Sequence, residues 1–116
     1  MPSTGLRHLS LKTRDLEATE RFYTEVLGLE VAFRSPPKRV FLRWPRGDDL
    51  LDFVKSTGKL SATQGLDHFG FRVSRQVMNR VEGKLKKRGI KIEGRRGTRS
   101  IYFRDLNGYW VEFYRD

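Results

Sequence analysis

The sequence predicts an α+β fold of two tandem βαβββ modules forming a curved, cup-like mixed sheet. Three observations carry this. First, "GLRHLSLKT" near the N-terminus returns as "GLDHFGFRV", so that Gly5 aligns with Gly65, His8 with His68 and Lys12 with Arg72. The chain has 2 histidines, and they are the pair matched in this way, which points to an internal repeat. Second, both segments alternate apolar and polar residues with the period of a strand, and each is followed by a stripe of helical period. Third, the later segments also match in order: "GLEVAF" with "GIKIEG", "VFLR" with "IYFR", and "LLDFVK" with "WVEFYR".

Each element has a local reason. In the first strand Leu9 and Leu11 oppose His8, Ser10 and Lys12; in its repeat Phe69, Phe71 and Val73 oppose His68, Gly70 and Arg72. Asp15 is placed to cap the first helix, whose apolar stripe is Leu16, Phe22, Tyr23, Val26 and Leu27, with Gly28 as its stop. Ser74 is placed to cap the second, with Val77, Met78, Val81 and Leu85 as the stripe and Gly89 as the stop. Three strands follow each helix. The Pro36-Pro37 and Pro45-Arg46-Gly47 segments mark loops in the first half, and Asn107-Gly108 marks a tight turn in the second.

The 116 residues make one domain. Module one covers 5–56, a turn-rich linker 57–64, and module two 65–116. Hydrophobic residues at 37% and charged residues at 33% fit a globular rather than a disordered chain. The chain contains no cysteine, which removes disulfide and thiolate chemistry. No apolar run reaches the length of a membrane span and no signal segment opens the chain, so a cytoplasmic location is expected. A net charge of +10 is compatible with an anionic substrate, nucleic acid or a solvated surface. The basic stretches "KLKKRG" and "RRGTR" lack interleaved exposed aromatics, which argues against nucleic acid.

The repeat also duplicates chemistry. It supplies His8 and Asp52 from one half and His68 and Glu112 from the other, all on the faces opposite the helix-packing residues. Two imidazoles and one or two carboxylates converging on a shared cup form a divalent-metal site. Lys12 and Arg72 share the strand faces of the histidines, Arg104 shares that of Tyr102, and Arg43 is its counterpart. These four cations are candidates to hold a carboxylate or phosphate of a small substrate.

From Gly5 to Arg115 the chain resembles the vicinal-oxygen-chelate superfamily, which includes glyoxalase I, fosfomycin-resistance thiol transferases, methylmalonyl-CoA epimerase, extradiol dioxygenases and bleomycin-resistance proteins. The most telling parts are "HLSLKTRDLEATERFYTEVLGL" and "YFRDLNGYWVEF". The resemblance implies paired βαβββ modules, with His8, His68 and Glu112 as ligands of one divalent ion (Fe²⁺, Mn²⁺, Ni²⁺, Co²⁺ or Zn²⁺) and Asp52 at the fourth position. It also implies a homodimer.

A proton-transfer lyase or isomerase, with Asp52 or Glu112 as base, ranks first among the activities this implies. An Fe²⁺ extradiol dioxygenase with Tyr102 as acid is the alternative. The histidine that dioxygenases carry shortly before that tyrosine is replaced here by "EGRRGTRS". A metal-free drug-binding protein of the bleomycin-resistance type ranks last, because such proteins bind cations and this chain is basic.

Overall fold

The computed structural model describes residues 2–60 and 65–115. The chain divides into two compact units, Met1–Leu60 and Ser61–Asp116. Positions 61–64 of the expected linker, and Asp116, lie outside the described residues.

In the first unit β1 (His8–Thr13) leads into α1 (Leu16–Arg21), which continues as a wider π-helical segment over Phe22–Leu27. Asp15 caps α1, its carboxylate accepting the Ala18 N–H at 3.0 Å. The segment ends where Gly28 turns left-handed at φ 101°, a conformation that glycine adopts without a Cβ penalty. Three strands follow: β2 (Glu30–Ser35), β3 (Arg39–Arg43) and β4 (Leu50–Lys55). They form a sheet of order β1-β4-β3-β2, in which β1 runs parallel to β4 and the other pairs are antiparallel.

The expected helical stripe is the core of this unit. Phe22, Tyr23, Val26 and Leu27 are buried with Val40, Leu42, Leu51 and Phe53, and the Tyr23 and Phe53 rings lie 5.0 Å apart. Alternation sends Leu51 and Phe53 to the helix side and leaves Asp52 on the opposite face.

The second unit repeats the plan with β5 (Phe69–Arg72), α2 (Arg75–Lys87), β6 (Gly94–Arg96), β7 (Ser100–Arg104) and β8 (Trp110–Tyr114). Its sheet order is β5-β8-β7-β6, again with one parallel pair, β5 with β8. Ser74 caps α2 through the Val77 N–H, and Met78, Val81 and Leu85 are buried on its inner stripe. The expected turn at Asn107-Gly108 is held by the Asp105 carboxylate, which accepts the Asn107 and Tyr109 N–H groups at 2.9 Å each.

One expected strand is shortened. "GIKIEG" joins the sheet only at its last residue: the ladder covers Gly94–Arg96, with Gly94 paired to Tyr102 as the matching Phe33 is paired to Phe41. The Ile90 N–H closes the end of α2 on the Leu85 carbonyl, so the residues just after Gly89 leave the helix rather than pair. The register places Arg96 opposite Ser100, as Ser35 lies opposite Arg39. Among the described residues no helix is long and apolar enough to cross a membrane.

Candidate metal centre

The register of each sheet sets a histidine beside a carboxylate. In the first unit Ser10 and Phe41 are the ladder partners of Asp52. In the second, Gly70 and Tyr102 are the partners of Glu112. Directly opposed residues point to the same sheet face, so the two acids occupy equivalent places. Both acids are buried, Asp52 completely.

A buried carboxylate needs partners, and each acid has the same three kinds. Asp52 accepts from His8 Nε2 on Oδ2. Its Oδ1 accepts from Ser10 Oγ at 2.8 Å and from Arg39 Nη1. Glu112 Oε1 faces His68 Nε2 at 3.1 Å. Its Oε2 accepts from Ser100 Oγ at 2.8 Å and from Arg96 Nη2 at 3.2 Å. In both units one oxygen is held by a serine and an arginine, and the other faces a histidine nitrogen.

An aromatic ring stands beside each histidine. Phe41 lies 5.9 Å from the His8 ring, and Tyr102 lies 5.5 Å from that of His68. The Tyr102 phenol is raised above its ordinary pKa of 10.0, first by burial and then by its bond to Glu112. At neutral pH it is therefore a proton donor.

The histidines differ in their outer contacts. The His68 Nδ1–H donates to the Asp67 carboxylate at 2.6 Å, whereas the matching residue before His8 is Arg7, paired with Asp48. With both ring nitrogens facing carboxylates, His68 titrates above 6.5. Asp67 contributes most, burial opposes the shift, and Glu112 adds to it. In neutral His68 a proton kept on Nδ1 leaves the Nε2 lone pair for a metal.

The donor set fits a divalent ion. Two ligand atoms about 2.1 Å from one ion and at right angles to each other stand roughly 3 Å apart. His68 Nε2 and Glu112 Oε1 have that separation, at 3.1 Å. Within either unit, among the described residues, no three His, Asp or Glu side chains gather at one point. Each unit holds one such histidine–acid pair.

The four expected substrate contacts are distributed around these pairs. Lys12 and Arg72 are exposed on the strand faces of the histidines. Arg43 shares the face of Asp52 but pairs with Glu30 at 2.8 Å. Arg104 shares the face of Glu112, where it donates to the Gly108 carbonyl at 3.0 Å, pairs with Glu93 at 3.4 Å and lies over the Trp110 ring.

Ser10, Arg39, Ser100 and Arg96, which hold the acids, and Asp67, which holds His68, were not among the expected site residues. The Arg39-Phe41-Arg43 alternation was the available signal for Arg39. Arg96 lies just past the matched "GIKIEG" segment, so the match did not reach it.

Residues 5–113 match a family model described as the Glyoxalase/Bleomycin resistance protein/Dioxygenase superfamily. Solved structures agree with the fold. A glyoxylase/bleomycin resistance protein/dioxygenase domain from Frankia sp. EAN1pec is 25% identical, with a TM-score of 0.80 over 97% of this chain and 92% of that one. A lactoylglutathione lyase from Agrobacterium tumefaciens is 24% identical, with a TM-score of 0.74 over 99% and 96%. A variant of the fosfomycin resistance protein FosX from Listeria monocytogenes, complexed with Mn(II) and 1S,2S-dihydroxypropylphosphonic acid, is 21% identical, with a TM-score of 0.77 over 97% and 92%.

Proposed function

The chain belongs to the glyoxalase/bleomycin resistance protein/dioxygenase superfamily, and from that premise we propose that it is a divalent-metal-dependent lyase or isomerase moving a proton on a small anionic substrate with neighbouring oxygens. The observation that supports this best is the duplicated pairing of a histidine with a buried, anchored carboxylate, His8 with Asp52 and His68 with Glu112. His8, His68 and Glu112 are the ligands in this reading, with Asp52 the weaker fourth. The FosX relative holds Mn(II), and Fe²⁺, Ni²⁺, Co²⁺ and Zn²⁺ suit the same nitrogen and oxygen donors. When bound, such an ion supplies Lewis acidity toward a substrate carbonyl oxygen.

The side chains divide the remaining work. Asp52 is wholly buried with both oxygens engaged, which suits it to orienting His8. Glu112 is the better base, because it keeps some exposure where Asp52 has none and reaches further on its longer side chain. Tyr102, kept protonated, donates to oxygen on the substrate. Each acid carries its own arginine, so the charge of a bound ion is not cancelled, which favours an anionic substrate. Lys12 and Arg72 add cationic contacts; at Arg43 and Arg104 a substrate oxyanion competes with Glu30 and Glu93.

A second reading, an Fe²⁺ extradiol dioxygenase, is favoured by Tyr102 standing beside both His68 and Glu112. Oxygen uptake separates the two. We expect a hemithioacetal or another 2-oxo or 2-hydroxy compound to be converted anaerobically with Ni²⁺, Co²⁺ or Zn²⁺. Rapid oxygen consumption with a catechol and Fe²⁺, lost in Tyr102→Phe, would establish the dioxygenase instead. The setting we propose is a cytoplasmic homodimer, since an antiparallel edge strand such as β2 invites pairing or cover. A monomer by sedimentation at micromolar concentrations would contradict the dimer.

A further inference from the structure

The two acids differ in length, and the strand beside each one explains the difference. Ser10 is the ladder partner of Asp52 on the parallel strand, and Gly70 is the partner of Glu112. In the first unit Ser10 fills that position and its hydroxyl binds Asp52 Oδ1 at 2.8 Å. In the second the position is a glycine, and a Cβ built there would stand 3.4 Å from Glu112 Oε1 and 3.3 Å from the Glu112 carbonyl oxygen. The longer acid therefore runs alongside the space that a side chain at position 70 would use.

The serine is not lost but moved. Aligning "VFLR" with "IYFR" sets Arg39 of β3 opposite Ser100 of β7. Ser100 donates to Glu112 Oε2 at 2.8 Å, the contact that Ser10 makes in the first unit. The arginine moves as well, from Arg39 on β3 to Arg96 on β6, where it reaches both Ser100 Oγ and Glu112 Oε2. The repeat thus builds one serine–arginine clamp twice, from different strands.

We infer that Ser100 and Gly70 are positioning residues for Glu112: the serine, together with Arg96, fixes one carboxylate oxygen, and the glycine leaves room for the other to face His68. Gly70-Glu112 and Ser10-Asp52 are then two matched solutions, each acid fitted to the residue across the ladder. The inference rests on the metal reading above, but its test separates the two.

The probe is Co²⁺ alone, titrated into the metal-free full-length protein and followed by calorimetry and by its visible absorption. Ser100→Ala and Gly70→Ser leave every charge in place, so a change in affinity reports on position rather than on electrostatics. Each is expected to weaken Co²⁺ binding about 10-fold or more, the usual cost of losing a contact that orients a ligand, and to alter the Co²⁺ absorption bands. Glu112→Asp weakens binding by itself. Added to Gly70→Ser it is expected to recover part of the loss, because that pair recreates the Ser10–Asp52 arrangement; the recovery appears as non-additivity in a double-mutant cycle.

Circular dichroism and thermal melting of each metal-free variant monitor the fold. If Gly70→Ser does not fold, Ser100→Ala decides the question through affinity and absorption. Wild-type protein that binds no Co²⁺ would overturn the metal reading itself. Wild-type protein that binds Co²⁺, with Ser100→Ala binding equally well and with unchanged bands, would overturn the positioning role alone. Additive effects of Gly70→Ser and Glu112→Asp would overturn the matched-pair explanation.

Discussion

His68 sits between two carboxylates, Asp67 at Nδ1 and Glu112 at Nε2, and its pKa is raised above 6.5 chiefly by the Asp67 bond. Because the folded value lies above the unfolded one, the stability His68 contributes is complete below about pH 6.5 and is lost as pH rises through the folded pKa. The same proton competes with a metal for Nε2, so affinity is expected to fall as pH drops through that raised value. Asp67→Asn is expected to bring the His68 titration in the metal-free protein back toward 6.5, followed by NMR of the ring protons. A titration that does not move in this variant would mean that Asp67 is not the cause.

The arginines offer a second contrast at this scale. Arg39 pairs with a wholly buried acid, whereas the Arg43–Glu30 pair is exposed on both sides. Arg39→Ala leaves the Asp52 charge short of a partner and is expected to cost about 3 kcal/mol of stability. Arg43→Ala is expected to cost less than about 1 kcal/mol. Urea unfolding of the two variants measures the difference. Equal losses would mean that the Asp52 clamp does not hold its charge in this way.

At the scale of elements, the helix ends follow from single residues. Gly28 closes the first helical stretch at φ 101°, so Gly28→Ala is expected to destabilise by about 1 kcal/mol, read as a fall in Tm. No change would mean that the turn relaxes to another conformation. Caps, stripes and most strands were legible because they depend on residues near in sequence. Asp15, Ser74 and the run Phe22 to Leu27 state their roles locally. The late start of β6 was not legible, because alternation in "GIKIEG" suits a strand while the Ile90 N–H closes the helix instead. The π-helical widening at Phe22–Leu27 left no mark in the apolar stripe, which i+3 and i+4 spacing satisfies in either form.

At the scale of the whole molecule, the repeat carried most of what the sequence revealed. Matching His8 to His68 and Asp52 to Glu112 found the four groups that the two sheets pair as histidine and acid. The clamps around them escaped notice because the repeat breaks there: Ser10 aligns with Gly70, and Arg39 with Ser100. A sequence comparison that seeks like residues at like positions cannot register a serine and an arginine that have changed strands. Only side-chain reach across the ladder brings them to the same carboxylate oxygen.

In the proposed enzyme these two histidine–acid pairs are metal ligands. The most direct test of that role is the stoichiometry and affinity of divalent-metal binding at pH 7.5 to the wild-type chain, His8→Ala, His68→Ala and the double histidine variant, by equilibrium dialysis with elemental analysis. The expected result is one ion per complete site in the wild type, weak binding in each single variant and none in the double variant, with all four folded by circular dichroism. A double variant that still binds one ion with wild-type affinity would contradict the role of the histidines as ligands.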